Sequence, residues 1–242
     1  MDYLLLFILL ALLAEILGTV GGFGSSLFFV PMASFFLDFH VVLGITAIFH
    51  VSSNLTKIAF FRKGIDKKLI IWLGIPAIIF VIIGAYLSKS IKSNILEMLL
   101  AIFLIVISLT FLKFNKLVVK PSKRNSIFGG VLSGLVAGVI GTGGAIRGVT
   151  LAAFNLNIST FIATSAIIDL GIDFSRSIVY YTNGYIKKEH IYLIPLLLIC
   201  SVLGTFIGKK ILERISEEKF KSIVLFLILI TGITTLVKIA LE

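Results

Sequence analysis

GLVAGVIGTGGAIRGVT, residues 134 to 150, decides how the rest of the chain is read. An apolar segment runs into Gly141, Thr142, Gly143 and Gly144, restarts as a second apolar segment, and carries Arg147 one turn past the restart. Clustered glycines let a backbone turn sharply and approach a ligand closely. A helix that restarts after them points unpaired N–H groups and a positive dipole end into the gap, which is an anion-binding geometry. At membrane depth such a break is tolerated only where it is buried in protein or lines a watery cavity.

That the break lies at membrane depth follows from composition. The 242 residues are 58% hydrophobic and 14% charged, against about 25% charged in a soluble domain, and mean hydropathy is +1.13. Most of the chain must face lipid or pack on other embedded helices, so it reads as an all-α polytopic membrane protein. The net charge of +10 fits basic cytoplasmic loops rather than nucleic-acid binding, because lysine and arginine gather on the inner side of membrane proteins. One cysteine, Cys200, excludes an internal disulfide and a cysteine metal cluster. The apolar N-terminus lacks a basic leading region and belongs to a repeat, so it reads as a retained helix rather than a signal peptide.

Apolar segments fall at 3–20, 25–37, 41–61, 69–90 and 95–114, then at 127–140, 145–157, 159–181, 190–208 and 219–240. Spanning takes about 20 residues, so 25–37 and 145–157 read as half-helices. The halves repeat: at an offset of 120, Gly18, Gly21 and Gly24 fall on Gly138, Gly141 and Gly144, and Gly84, Lys89 and Glu97 fall on Gly204, Lys209 and Glu217. Over residues 35–57 the offset is 119, which pairs His50 with Asp169, Asn54 with Asp173 and Lys57 with Arg176. The expected organisation is a first transmembrane repeat at 1–114, a basic connection at 115–126 and a second repeat at 127–242, with four to five hydrophobic segments in each repeat. If all five segments of each half cross, the repeats are inverted, and 14 basic residues lie on one side against 5 on the other. If each half crosses four times they are parallel, and the division is 12 to 7. The larger bias favours inversion.

Charged residues inside such segments need partners or water. Asp169, Asp173 and Arg176, at i, i+4 and i+7, share one helical face, and His50, Asn54 and Lys57 occupy the equivalent face of the first half. Either face serves equally as an ion-pair network pinning helices or as a substrate and proton pathway. Histidine titrates near neutral pH, which suits proton coupling. Glu15, one turn before the first glycine cluster, reads as a protonation site or as a partner of Lys57. Gly21, Gly22 and Gly24 with Ser25 and Ser26 form the first break, and Gly141, Thr142, Gly143 and Gly144 the second. Small residues at such places also serve close helix packing. No nucleophile and base pattern, metal-ligand spacing or phosphate loop occurs, so no enzyme activity, cofactor or metal is expected.

At these breaks the chain resembles the TauE/SafE family, the sulfite and organosulfonate exporters of prokaryotic membranes. GTVGGFGSSLFFVP, with Pro31, matches the family pattern of a glycine-rich break, small residues and an apolar helix; GTGGAIRGVTLAAF matches through its glycines but has Leu151 where the proline would align. The resemblance implies a multi-pass protein of a prokaryotic plasma membrane that moves small oxyanions. The residues add a site: an anion between the two breaks, held by backbone N–H groups, Ser25, Ser26, Thr142, Arg147, Asn54, Lys57 and Arg176. Glu15, His50, Asp169 and Asp173 would carry protons or tune it, and the repeats would move for alternating access. On this reading Arg147, Arg176 and Lys57 outnumber the acids at the centre. The partners expected are the anion and the bilayer, with homo-oligomerisation left open. The rival classes are an anion channel, a cation or metal transporter using the acidic face, and a membrane scaffold.

Overall fold

The computed structural model describes residues 2–22, 24–61, 64–113, 119–214 and 217–241. Residues 114–118 of the basic connection, and the ends of the two expected repeats at 1 and 242, lie outside them. Among the described residues every regular element is helical. The first half holds α1 (Asp2–Gly21), α2 (Ser26–Ala33), α3 (Phe39–Phe60), α4 (Lys67–Leu69), α5 (Ile75–Ser88) and α6 (Ser93–Lys113). A π-helical turn, Ile70–Gly74, joins α4 to α5 as one span, Lys67–Ser88. The second half holds α7 (Lys123–Ile140), α8 (Gly144–Ala152), α9 (Ile158–Thr182), α10 (Leu193–Leu212) and α11 (Glu217–Leu241). Six of these helices are long and apolar enough to cross a membrane. Large apolar side chains such as Leu9, Ile79, Phe128, Phe174 and Ile199 are exposed while charged ones are buried, the arrangement a lipid surround selects.

The helices stop and start for local reasons. Asp38 caps α3 by accepting from the His40 N–H at 3.0 Å, and Asn157, its counterpart at the offset of 119, caps α9 by accepting from the Thr160 N–H at 2.9 Å. α7 ends where Gly141 adopts φ +81°, a left-handed conformation that glycine enters without steric cost. In the stretches read as half-helices, 25–37 and 145–157, the helices are shorter than the apolar runs, 8 residues for α2 and 9 for α8, because the chain leaves the helix at Ser34 and at Ala153.

Two kinds of packing position the site. α5 and α7 run parallel at backbone contact: a side chain added at Gly130, Gly134 or Gly138 would strike the carbonyl oxygens of Leu73, Ala77 and Val81 in turn. This is a ladder of small residues, the usual way for helices to approach closely in lipid. α1 runs parallel to α10 in the same way, with Gly204 against Glu15 and Gly208 against Thr19. By contrast α3 and α9 run antiparallel, as His50 meets Arg176, Asn54 meets Asp173, and Phe61 packs with Ile162. α6 and α11 are antiparallel too, with Lys238 on Glu97 and Gly232 on Ala101.

Candidate functional site

The starts of α2 and α8 meet at the centre, where the Ser26 and Thr142 hydroxyls hydrogen-bond at 3.1 Å. Neither start is capped by a side chain, unlike those of α3 and α9. An uncapped helix start in a buried place leaves strong donors to be satisfied by something else. Both starts line a cavity of about 20 Å³ whose wall includes Gly24, Ser25, Ser26, Gly141, Gly143, Gly144 and Arg147. The remainder comes from α3 through His50, Ser53, Asn54 and Lys57, and from α9 through Asp169, Asp173 and Arg176. Of the other residues read from the sequence, Gly21 closes α1, Gly22 lines an adjoining cavity, and Glu15 lies behind Ser25.

Each buried cation has its own carboxylate: Asp169 and Asp173 share the cavity wall with Lys57, Arg147 and Arg176, and the third carboxylate, Glu15, stands behind Ser25. Lys57 Nζ lies 2.9 Å from Glu15, Arg147 Nη2 lies 2.5 Å from Asp169, and Arg176 Nη2 lies 2.7 Å from Asp173. Glu15 is fully buried and reaches the cavity wall through its bonds to Ser25 and Lys57. Its two oxygens also accept from Thr19, Ser25, Ser53 and Thr205.

The donors divide into spent and spare. Arg176 spends all five N–H groups: Nε and Nη2 on Asp173, Nη2 also on His50 Nδ1, and Nη1 on the Ala137 and Gly141 carbonyls that end α7. It is a helix cap in the form of a buried cation, and Tyr180 donates beside it to Gly138 at 2.7 Å. Ser25 donates to Glu15 at 2.6 Å, so His50 Nε2 must donate to Ser25, while Nδ1 accepts from Arg176. Both contacts fix the same neutral tautomer of His50. Asn54 donates to Asp173 at 2.7 Å. Arg147 differs. Nη2 bonds both oxygens of Asp169 and Nε bonds Ser165, but among the described residues Nη1 has no partner, although the residue is 3% exposed. Lys57 also keeps one N–H beyond its bonds to Glu15 and Ser53.

Sequence reasoning missed Thr19, Ser53, Ser165, Thr205 and Tyr180. Four of these have a legible signal, a hydroxyl four residues from Glu15, Lys57, Asp169 and Arg176 respectively, the helical spacing that brings side chains together. Thr205 has none, since it reaches Glu15 from another helix.

Residues 7–235 match the family described as sulfite exporter TauE/SafE, nearly the whole chain. No curated protein and no solved structure matches it.

Proposed function

The chain belongs to the sulfite exporter TauE/SafE family, a family of membrane transporters and not of enzymes, and from that premise we propose that Arg147 and the starts of α2 and α8 hold a small sulfur oxyanion for export. The observation that carries this is Nη1 of Arg147, a cationic donor on the cavity wall without a protein partner among the described residues, beside two uncapped helix starts. A cavity of about 20 Å³ holds a water molecule or so and excludes an oxyanion. Loading therefore requires Asp169 to leave Arg147, and the anion takes its place. The incoming oxygens meet Arg147, the α8 N–H groups, the spare N–H of Lys57 and one hydroxyl proton, because the Ser26 and Thr142 pair uses only one of its two.

In this assignment Arg176 and Ser25 build the wall rather than hold the anion, since their donors are spent, while Asn54 gives one amide N–H to Asp173 and keeps the other for the anion. Glu15, His50 and Asp173 tune the site by fixing those donors, and Asp169 is the group that trades places with the substrate. The antiparallel course of α3 and α9 supports inverted repeats, and with them alternating access about the central site in a prokaryotic plasma membrane. A cation site is less favoured because each carboxylate already faces a separate cation, and among the described residues no three His, Cys, Asp or Glu side chains form a metal-holding group.

Arg147→Ala is the test. In proteoliposomes it abolishes saturable flux of sulfite or sulfoacetate, and in detergent it removes the rise in melting temperature these anions give the native protein, while the yield of monodisperse protein is kept. Equal loss of folded protein would assign Arg147 a structural role, and flux that does not saturate would make the protein a channel.

A further inference from the structure

A second cavity of about 20 Å³ adjoins the first and shares Gly24, Lys57 and Asp169 with it. It runs between the end of α1, at Gly18, Thr19 and Gly22, and the start of α9, at Phe161, Ile162 and Ser165. Phe161 closes it, standing 3.2 Å from where a side chain on Gly22 would begin. The start of α9 also carries Thr164, which bonds the Asp66 N–H at 3.0 Å, and Ile162, which packs with Phe61. This cavity therefore leads toward the face that holds the connection after α3.

The offset of 119 places Ser165 on Thr46, Phe161 on Val42 and Ile162 on Leu43. Because α3 runs antiparallel to α9, these counterparts lie on the way to the opposite face, where Asp38 and Tyr185 lie. There the chain is shut: Val42, Leu43 and Thr46 are fully buried, and Leu43 packs onto the Gly141 break. Ser165 is satisfied by Arg147 and Asp169. The Thr46 hydroxyl is the one buried side-chain polar atom without a partner among the described residues. A buried hydroxyl left dry is costly and calls for an explanation.

We propose that Thr46 lines a second passage, closed in this state, through which the anion leaves toward the opposite face, and that Leu43 is its plug. The proposal rests on the transporter reading above. When the repeats exchange conformations, Leu43 lifts from Gly141 as Ile162 and Phe161 close on the first break. The Thr46 hydroxyl then donates to the passing anion or its water, as Ser165 serves the present state.

The experiment uses single cysteines, Thr46→Cys and Ser165→Cys, in a Cys200→Ser background, with a membrane-impermeant thiol reagent applied to right-side-out and inside-out vesicles. Sulfoacetate is the anion, since its sulfonate does not attack the reagent. The expected result is modification of position 165 from the side of the α3 connection, modification of position 46 from the opposite side only, and faster modification at 46 during sulfoacetate flux. A position 46 that stays unreactive from both sides, or reacts from the same side as 165, overturns the passage. Thr46→Val, which keeps the shape and removes the hydroxyl, is expected to lower flux without lowering the yield of folded protein; unchanged flux overturns the role of the hydroxyl. Wild-type flux is read separately, so absence of any sulfur-oxyanion flux sinks the transporter reading while the labelling still tests the passage.

Discussion

Two arginines buried within one helix turn of the same cavity have different duties, and the difference lies in their partners. Arg176 has no donor left over, and removing it would leave Asp173 without its cation and the end of α7 without its cap. Breaking a buried pair in this way costs about 3–5 kcal/mol. Arg176→Met is therefore expected to lose most of its folded protein, measured by size-exclusion yield and thermal denaturation in detergent, under conditions where Arg147→Ala does not, because Arg147 caps no helix and its partner Asp169 keeps a 15% exposed side chain on the cavity. The face carrying Asp169, Asp173 and Arg176 was legible in the sequence because helical spacing is a local property. The pairing across helices was less so. Glu15 as a partner of Lys57 was one of two readings and is the contact present, but Arg147 reaches Asp169 from another helix, and no spacing rule reports what stands opposite a face.

At the scale of elements, the glycine breaks were readable because glycine has few reasons to cluster inside an apolar run. Their boundaries were less so: the apolar composition continues past Ser34 and Ala153, where the helices end. The stripe of Gly130, Gly134 and Gly138 reads equally as flexibility or as packing, and backbone contact with α5 decides for packing. Gly134→Val places a branched side chain on the Ala77 carbonyl and forces α5 and α7 apart. Overpacking of this kind costs about 1–3 kcal/mol or more, so the variant is expected to melt earlier. Gly184, at φ +81° with no atom within 4 Å, gives the contrast: Gly184→Asn, a residue that tolerates the left-handed region, is expected to melt within error of the native protein.

For the molecule as a whole, the antiparallel course of α3 and α9 agrees with the division of loop charge, 14 basic residues against 5. On the inverted arrangement proposed above, the basic side is expected to be cytoplasmic and the turns after α5 and α9 to face outward. Cysteines placed singly at Lys120 and Lys188, both exposed, test this in the Cys200→Ser background. Position 188 is expected to react with an impermeant reagent in intact cells, and position 120 only after lysis. The opposite pattern would turn the molecule over in the membrane.

The one-to-one pairing of buried charge has a consequence for energy supply. Three cations matched by three carboxylates leave the empty core neutral, so reorienting it does no work against the membrane voltage. A bound monovalent anion adds its own charge, and moving that charge across 100 mV is worth about 2.3 kcal/mol. On the proposed alternating-access export, in a cell whose interior is negative, that voltage drives the loaded form outward and leaves the return step indifferent. We infer that on this reading the resting potential alone suffices to power export, with no second ion carried in exchange.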